Sequence, residues 1–259
     1  MNIIEHPPIL RLPGIPDYVT YTWVVMILLA GLAFAASRHV QLVPRGLQNF
    51  FEVVLEQFQQ LIDDVIGHEG RRFLPLIATL GLFIVVSNLL SLVPGMYGPT
   101  TNLNTTGACA LVVFVAYHWI GVRAQGPGNY LKHFMGPVWW LAWLMFPIEV
   151  ISHAARPLSL TLRLFGNMFG GHVLLAIIFF LMGLDGLIGW ALSGSAIGAV
   201  VGGLGGVVMV VFTVGFLYPL KILVSFLQGF VFVMLTMLYI AGAIEHAEPH
   251  GGEHAPAHH

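Results

Sequence analysis

Two apolar runs, Val138–Gly183 and Ala196–Ile244, constrain this chain more than anything else in it: they are 46 and 49 residues long and nearly free of charge. From Val138 to Ala243, 106 residues, there are five charged side chains: Glu149, Arg156, Arg163, Asp185 and Lys221. At ~1.5 Å per residue a helix over the first run reaches ~69 Å, more than twice a ~30 Å hydrocarbon core. Each run is therefore either two crossings with a buried turn or one steeply tilted helix. Joined near Asp185, they form a long hairpin over 138–244. The chain is 57% hydrophobic and 8% charged, against ~25% charged in soluble domains, which argues against a water-soluble fold. An all-α polytopic membrane protein is expected, one membrane domain over 1–259.

Residues 1–17, with Pro7, Pro8, Pro13 and Pro16, should be an irregular external segment. They lack the basic stretch and short apolar core of a cleavable signal peptide. Three roughly perpendicular spans follow, about Tyr18–Ser37, Phe73–Val93 and Thr105–Val122, each close to the ~20 residues a bilayer requires. Between the first two, Pro44 can open a helix and Gly67 can close it. Apolar residues recur there in steps of three and four from Leu47 to Ile66, so 44–67 is an amphipathic interfacial helix. Its polar face carries Glu52, Glu56, Asp63 and Asp64, the wrong sign for attraction to anionic lipid. It either covers the helix bundle or docks a partner subunit.

Orientation follows from lysine and arginine in short loops. The 38–72 and 123–137 loops hold Arg38, Arg45, Arg71, Arg72, Arg123 and Lys132, while the opposite side holds only Arg11. This puts the N-terminus outside and the C-terminus in the cytoplasm. The 245–259 tail, with five histidines, reads as disordered and solvated rather than metal-binding. No dinucleotide, Walker or zinc-protease motif is found, and no metal or cofactor is expected. The single cysteine, Cys109, allows no intrachain disulfide. The net charge of −2 says little about partners, and nothing points to nucleic acid. Gly194, Gly198, Gly202 and Gly206 form a small-residue stripe that permits close helix approach.

An arginine in hydrocarbon costs from ~3 to over 10 kcal/mol. Glu149, Arg156, Arg163 and Gly170 are spaced by sevens, with His153, Ser159 and Asn167 at steps of four from members of that series. On a helix this makes one continuous polar ribbon. Pro157 removes a hydrogen bond and should bend the helix, freeing the carbonyl of His153. His172, nine residues beyond Arg163, points to roughly the opposite face. In the second run Lys221, Ser225 and Gln228 share a face by the same arithmetic. Taken singly, each has a plain reading. Arg163 can pair with Glu149 or Asp185, Ser159 and Asn167 can be packing hydrogen bonds, His172 can be a satisfied interior histidine, and a lysine near a helix end can snorkel. Two facing polar stripes together point to an ion path.

The run PLSLTLRLFGNMFGGH resembles the signature of subunit a of the rotary F-type ATP synthase. LKILVSFLQGFVFVMLTMLYI is similar to that family's final helix, and PTTNLNTT to its second external loop. The resemblance covers most of the chain. It implies two long tilted helices lying along a ring of c subunits, with Arg163 as the essential stator charge facing that ring. It further implies that Asn167 and Gln228 lie near the arginine and that Glu149 and Ser159 belong to the cytoplasmic half-channel. Asn102, His172 and Lys221 would line the other half-channel. Implied partners are the c ring, the peripheral-stalk b subunits, other ATP synthase subunits and the bilayer of the cell (inner) membrane. Many members carry an acid and a histidine where His172 and Lys221 stand, and an acid at the position of Asn102.

On this reading the chain is not catalytic alone. Its permanent guanidinium charge stabilises an ionised ring carboxylate and repels protons that would cross directly between half-channels. Ions must then ride the ring, which couples flow to rotation and ATP synthesis. The alternatives are a secondary transporter or channel for an anionic solute, which would favour repeated halves, and a structural scaffold.

Overall fold

The structure is a computed structural model and describes residues 10, 12–38, 40–93, 96–128, 130, 139–182, 186–192 and 195–245. Most of the N-terminal segment, the second half of the 123–137 loop, Asp185, Gly194 and the tail beyond 245 lie outside the described residues. Every regular element among the described residues is helical. The helices are α1 (Asp17–Ser37), α2 (Leu47–Val65), α3 (Leu74–Leu90), α4 (Leu103–Gln125), α5 (Ala142–Met182), α6 (Leu187–Ala191), α7 (Ala196–Phe212) and α8 (Tyr218–Glu245). Five stretches are long and apolar enough to cross a bilayer: Asp17–Ser37, His68–Leu90, Leu103–Gln125, Trp143–Ala191 and Ala196–Ile244. The all-α membrane class expected from composition is the one observed.

The first long run is one helix and has no buried turn before Met182. The 41 residues of α5 run unbroken through Pro147 and Pro157, a length of ~62 Å at 1.5 Å per residue. Thr161 Oγ1 donates to the carbonyl of Pro157 at 2.8 Å. The second run is also continuous. Its α7 passes into α8 through one wide turn, Thr213–Leu217, where the N–H of Tyr218 bonds back to the carbonyl of Thr213. Pro219 accounts for the widening. Proline offers no N–H to the carbonyl four residues earlier and its ring crowds that carbonyl, and a wider turn relieves both.

The amphipathic helix begins at Leu47, three residues after Pro44. Gly46 turns left-handed there, with φ 62°, a conformation glycine adopts without a Cβ clash and one that interrupts any helix running in from Pro44. Gly67, φ 89°, closes the far end as expected, its N–H reaching back to the carbonyl of Ile62 at 3.2 Å. A short tight helix, His68–Phe73, then leads into α3. Across this corner Arg71 Nη2 and Nε donate to Asp63 Oδ2 and Oδ1 at 2.6 and 2.8 Å. The Arg71 guanidinium holds the Asp63 carboxyl below the usual carboxylate range.

The chain divides into two compact units. One is drawn from Met1–Ala35, Gly81–Thr106 and Leu162–Val231. In it the latter part of α5 runs antiparallel to the start of α8, as shown by the pairing of Asn167 with Gln228 and of Gly171 with Lys221. Leu175, Ile178 and Leu217 form a buried apolar cluster with Tyr218 against it. The end of α3 packs on α8 so closely that a Cβ at Gly229 would run into Val85. In the glycine stripe, Gly202 is in tight contact. A Cβ there would sit 2.5 Å from the carbonyl oxygen of Leu187 on α6, whereas at Gly206 it would meet nothing within 4 Å.

The other unit comprises Ala36–Leu80, Gly107–Thr161 and Phe232–His259. Here α4 meets α5 through Tyr117 and His153, and meets the end of α8 through Gln125, whose Nε2 donates to the carbonyl of Ala243 at 3.3 Å.

Candidate functional site

Around Arg163 the two faces of α5 differ sharply. Leu160, Leu164 and Met168, at steps of four, are each about 1% exposed or less. Arg163, Gly166, Asn167 and Gly170 lie on an exposed face. A Cβ at Gly166 or at Gly170 would meet nothing within 4 Å, so these glycines leave a shallow, open strip beside the arginine. Leu162 and Phe169, about half exposed, flank it. Among the described residues Arg163 has no hydrogen-bond or ion-pair partner. The pairing with Glu149 that the sequence allowed is not seen among the described residues, and Glu149 Oε1 lies 3.2 Å from His153 Nε2.

One turn further on, Asn167 Nδ2 donates to Gln228 Oε1 at 2.6 Å. Gln228, Ser225 and Lys221 are all buried, as expected from their shared helix face. Ser225 Oγ donates to the carbonyl of Lys221 at 2.8 Å. The Lys221 side chain crosses Gly171, where its Cε lies 3.1 Å from an ideal Cβ position. His172 Nε2, Lys221 Nζ and Gln228 Nε2 are buried with no hydrogen-bond partner among the described residues. All three can donate a hydrogen bond (the histidine in one tautomer), and leaving such atoms unpaired in a dry interior costs about 1–3 kcal/mol each.

Asn102 takes a different place. Its Oδ1 accepts from the N–H of Asn104 at 2.9 Å, and its carbonyl accepts from the N–H of Thr106 at 3.2 Å. This side chain caps the start of α4. Two residues earlier, Thr100 Oγ1 donates to Asn88 Oδ1 at 2.7 Å, and Asn88 Nδ2 donates to the carbonyl of Ser225 at 3.3 Å. Asn88 is fully buried on α3 and ties the loop before α4 to the Lys221–Gln228 face. Sequence reasoning missed it. The available signal was Ser87, Asn88 and Ser91, three polar residues at helical spacing inside an otherwise apolar span.

In the second unit His153 stands between Glu149 and Tyr117, whose hydroxyl is 3.1 Å from His153 Nδ1. Arg156 lies over the rings of Tyr117 and Tyr239, 5.9 and 5.5 Å from their centroids. Burial pushes the Tyr130 phenol up, with Arg156 acting in the opposite sense. Ser159 is exposed. The residues that the sequence reading gave to the two half-channels thus separate: Asn102, His172 and Lys221 fall in one unit, Glu149 and Ser159 in the other.

The ATP synthase A chain family matches residues 19–241. ATP synthase subunit a of Trichlorobacter lovleyi is 48% identical over 234 residues, covering 88% of this chain and 87% of that protein. The subunit a of Citrifermentans bemidjiense is 49% identical over 236 residues, 89% of each chain, and that of Syntrophobacter fumaroxidans is 46% identical over 235 residues. A match across nearly the whole chain, on a protein with five helices able to cross a bilayer, leaves one conclusion: this multi-pass membrane protein belongs to the ATP synthase A chain family, as a subunit a of the F-type ATP synthase.

Proposed function

We propose that the chain is the proton-conducting stator of its ATP synthase, with Arg163 as the fixed charge past which a ring of c subunits turns. The observation that carries this reading is the setting of Arg163. It is a guanidinium on an unbroken apolar helix, exposed, without a partner among the described residues, beside two glycines with open space around them. A permanent cation there attracts an ionised carboxylate on a neighbouring subunit and gives nothing to a protonated one. Ring carboxyls then release protons as they arrive and take up new ones as they leave. The same charge opposes direct passage of a proton between the two sides, and each transferred charge draws ~2.3 kcal/mol from every 100 mV of potential.

Two polar groups of residues serve as offset half-channels in this account. Asn102, His172 and Lys221, with Asn167 and Gln228 nearest the arginine, make the outer one. The buried donors of His172, Lys221 and Gln228 favour a hydrated interior, since ordered water satisfies buried polar groups that lack protein partners. Glu149 and Ser159 make the cytoplasmic one. The peripheral-stalk b subunits and other ATP synthase subunits hold the chain against the ring. The chain sits as one polytopic domain in the cell (inner) membrane, N-terminus outside and C-terminus cytoplasmic. A cysteine placed by Gly166→Cys should form a disulfide with a cysteine on the outer helix of the c subunit in the assembled complex. No cross-link from that face, with cross-links from the buried Leu164 side instead, contradicts the proposal.

A further inference from the structure

We infer that His153 passes protons on the cytoplasmic side of the path, receiving them on one ring nitrogen and releasing them from the other. This rests on the reading of the Glu149 side as a proton half-channel and deepens it. The geometry is a three-member chain: Tyr117 Oη lies 3.1 Å from His153 Nδ1, and His153 Nε2 lies 3.2 Å from Glu149 Oε1. Both ring nitrogens are thus engaged, one by a phenol on α4 and one by a carboxylate a turn away on the same helix. On α5 His153 stands between Glu149 and Arg163 in sequence, the order in which a proton leaving the ring for the cytoplasm would meet them.

The step balances without any other reagent. A proton arriving on the Nδ1 side, handed on by the Tyr117 hydroxyl, makes the imidazolium. Starting from the Nε2–H tautomer, the ring gives its Nε2 proton to Glu149 Oε1 and is left as the Nδ1–H tautomer, and rotation about Cβ–Cγ returns it to an accepting state before the next proton arrives. Glu149, part-exposed with 30% of its side chain accessible, then loses the proton to water. The groups around His153 are fixed by the packing. Arg156 lies on the same helix, His118 has its ring centroid 5.3 Å away, Tyr239 contacts Tyr117 at 5.9 Å, and Tyr130 contacts His118 at 6.0 Å. Among these described neighbours Glu149 is the one acid, and it is the acceptor in this relay.

The test is ATP-driven proton uptake by inside-out vesicles carrying the whole complex, with subunit content checked for assembly. His153→Ala should cut uptake by roughly 100-fold, the lower end for a lost acid–base group. Added imidazole should restore it in proportion to its concentration, while sodium chloride of equal ionic strength should not. Uptake within about twofold of wild type, or a loss that imidazole leaves untouched, overturns the inference. If His153→Ala does not assemble, His153→Gln is read in the same assay: a loss of about tenfold or more supports the relay, and a smaller change contradicts it. Arg163→Ala separates the two readings. Retained pumping in Arg163→Ala defeats the motor account itself, whereas its loss alongside a fully active His153→Ala defeats only the relay.

Discussion

Asn167 Nδ2 donates to Gln228 Oε1 at 2.6 Å, joining the two long helices one turn beyond Arg163. Gln228 is 3% exposed, so this bond fixes the register of α8 against the helix that carries the arginine. Asn167→Leu leaves the Gln228 amide with neither donor nor acceptor satisfied. Hydrogen bonds between membrane helices contribute about 0.6–2 kcal/mol, and a loss of about 1 kcal/mol in resistance of the complex to denaturation is expected. Proton pumping should fall severalfold. The double variant Asn167→Leu with Gln228→Leu should regain stability without regaining pumping. Unfolding of the purified complex and proton uptake, measured side by side, check this.

The Asp63–Arg71 clasp gives a pH dependence with a defined sign. The folded Asp63 carboxyl titrates below its ordinary value because Arg71 holds it. Its contribution is fully present above the ordinary aspartate pKa of about 3.9 and is lost as pH falls through the lowered folded value. Protection of the amides over residues 62–73, taken relative to their intrinsic exchange at each pH, should therefore be steady from neutral pH down to about 4 and fall below it. In Asp63→Asn the corner should be less protected than wild type above about pH 4, match it below the transition, and show no acid transition of its own. An acid transition retained in that variant assigns it to another group.

Glycines on α5 and α8 should respond in opposite ways. At Gly229 a Cβ runs into Val85, and overpacking costs about 1–3 kcal/mol. Gly229→Leu should lower the amount of folded chain in the membrane. At Gly170 nothing within 4 Å opposes a side chain. Gly170→Leu should leave chain levels unchanged and reduce ATP-driven pumping about tenfold or more, because the added bulk falls on the face offered to the ring. Quantitative immunoblots and proton uptake separate the two outcomes, and normal pumping in Gly170→Leu argues against a ring on that face.

The helices were legible because apolarity alone places them: nothing else accounts for 41 residues such as those of α5. The polar ribbon was also readable, since steps of four and seven fix direction on a helix. What those steps cannot give is the company a side chain keeps. Arg156 and Arg163 stand seven apart, yet Arg156 lies over Tyr117 and Tyr239, which come from α4 and α8, while Arg163 has open space beside it at Gly166 and Gly170. Asn88, with Ser87 and Ser91, marks a polar patch in an apolar span, but that patch gives no hint of the partners Thr100 and Ser225, 12 and 137 residues away. The loop motif around Asn102 carries the resemblance that implies a channel position, but nothing in it announces that the side chain also caps α4. Pro219 could have announced the wide turn before it, since its missing N–H is a property of the sequence itself.

The most direct test of the fixed-charge account is ATP-driven proton uptake by vesicles containing Arg163→Ala and Arg163→Lys complexes of normal subunit content. Alanine removes the charge. Lysine places a cation on a shorter head that can lose its proton when buried and lacks the planar fork. The account predicts no coupled uptake and no ATP synthesis for Arg163→Ala, and a large loss for Arg163→Lys. Uptake at the wild-type rate in Arg163→Ala would contradict it.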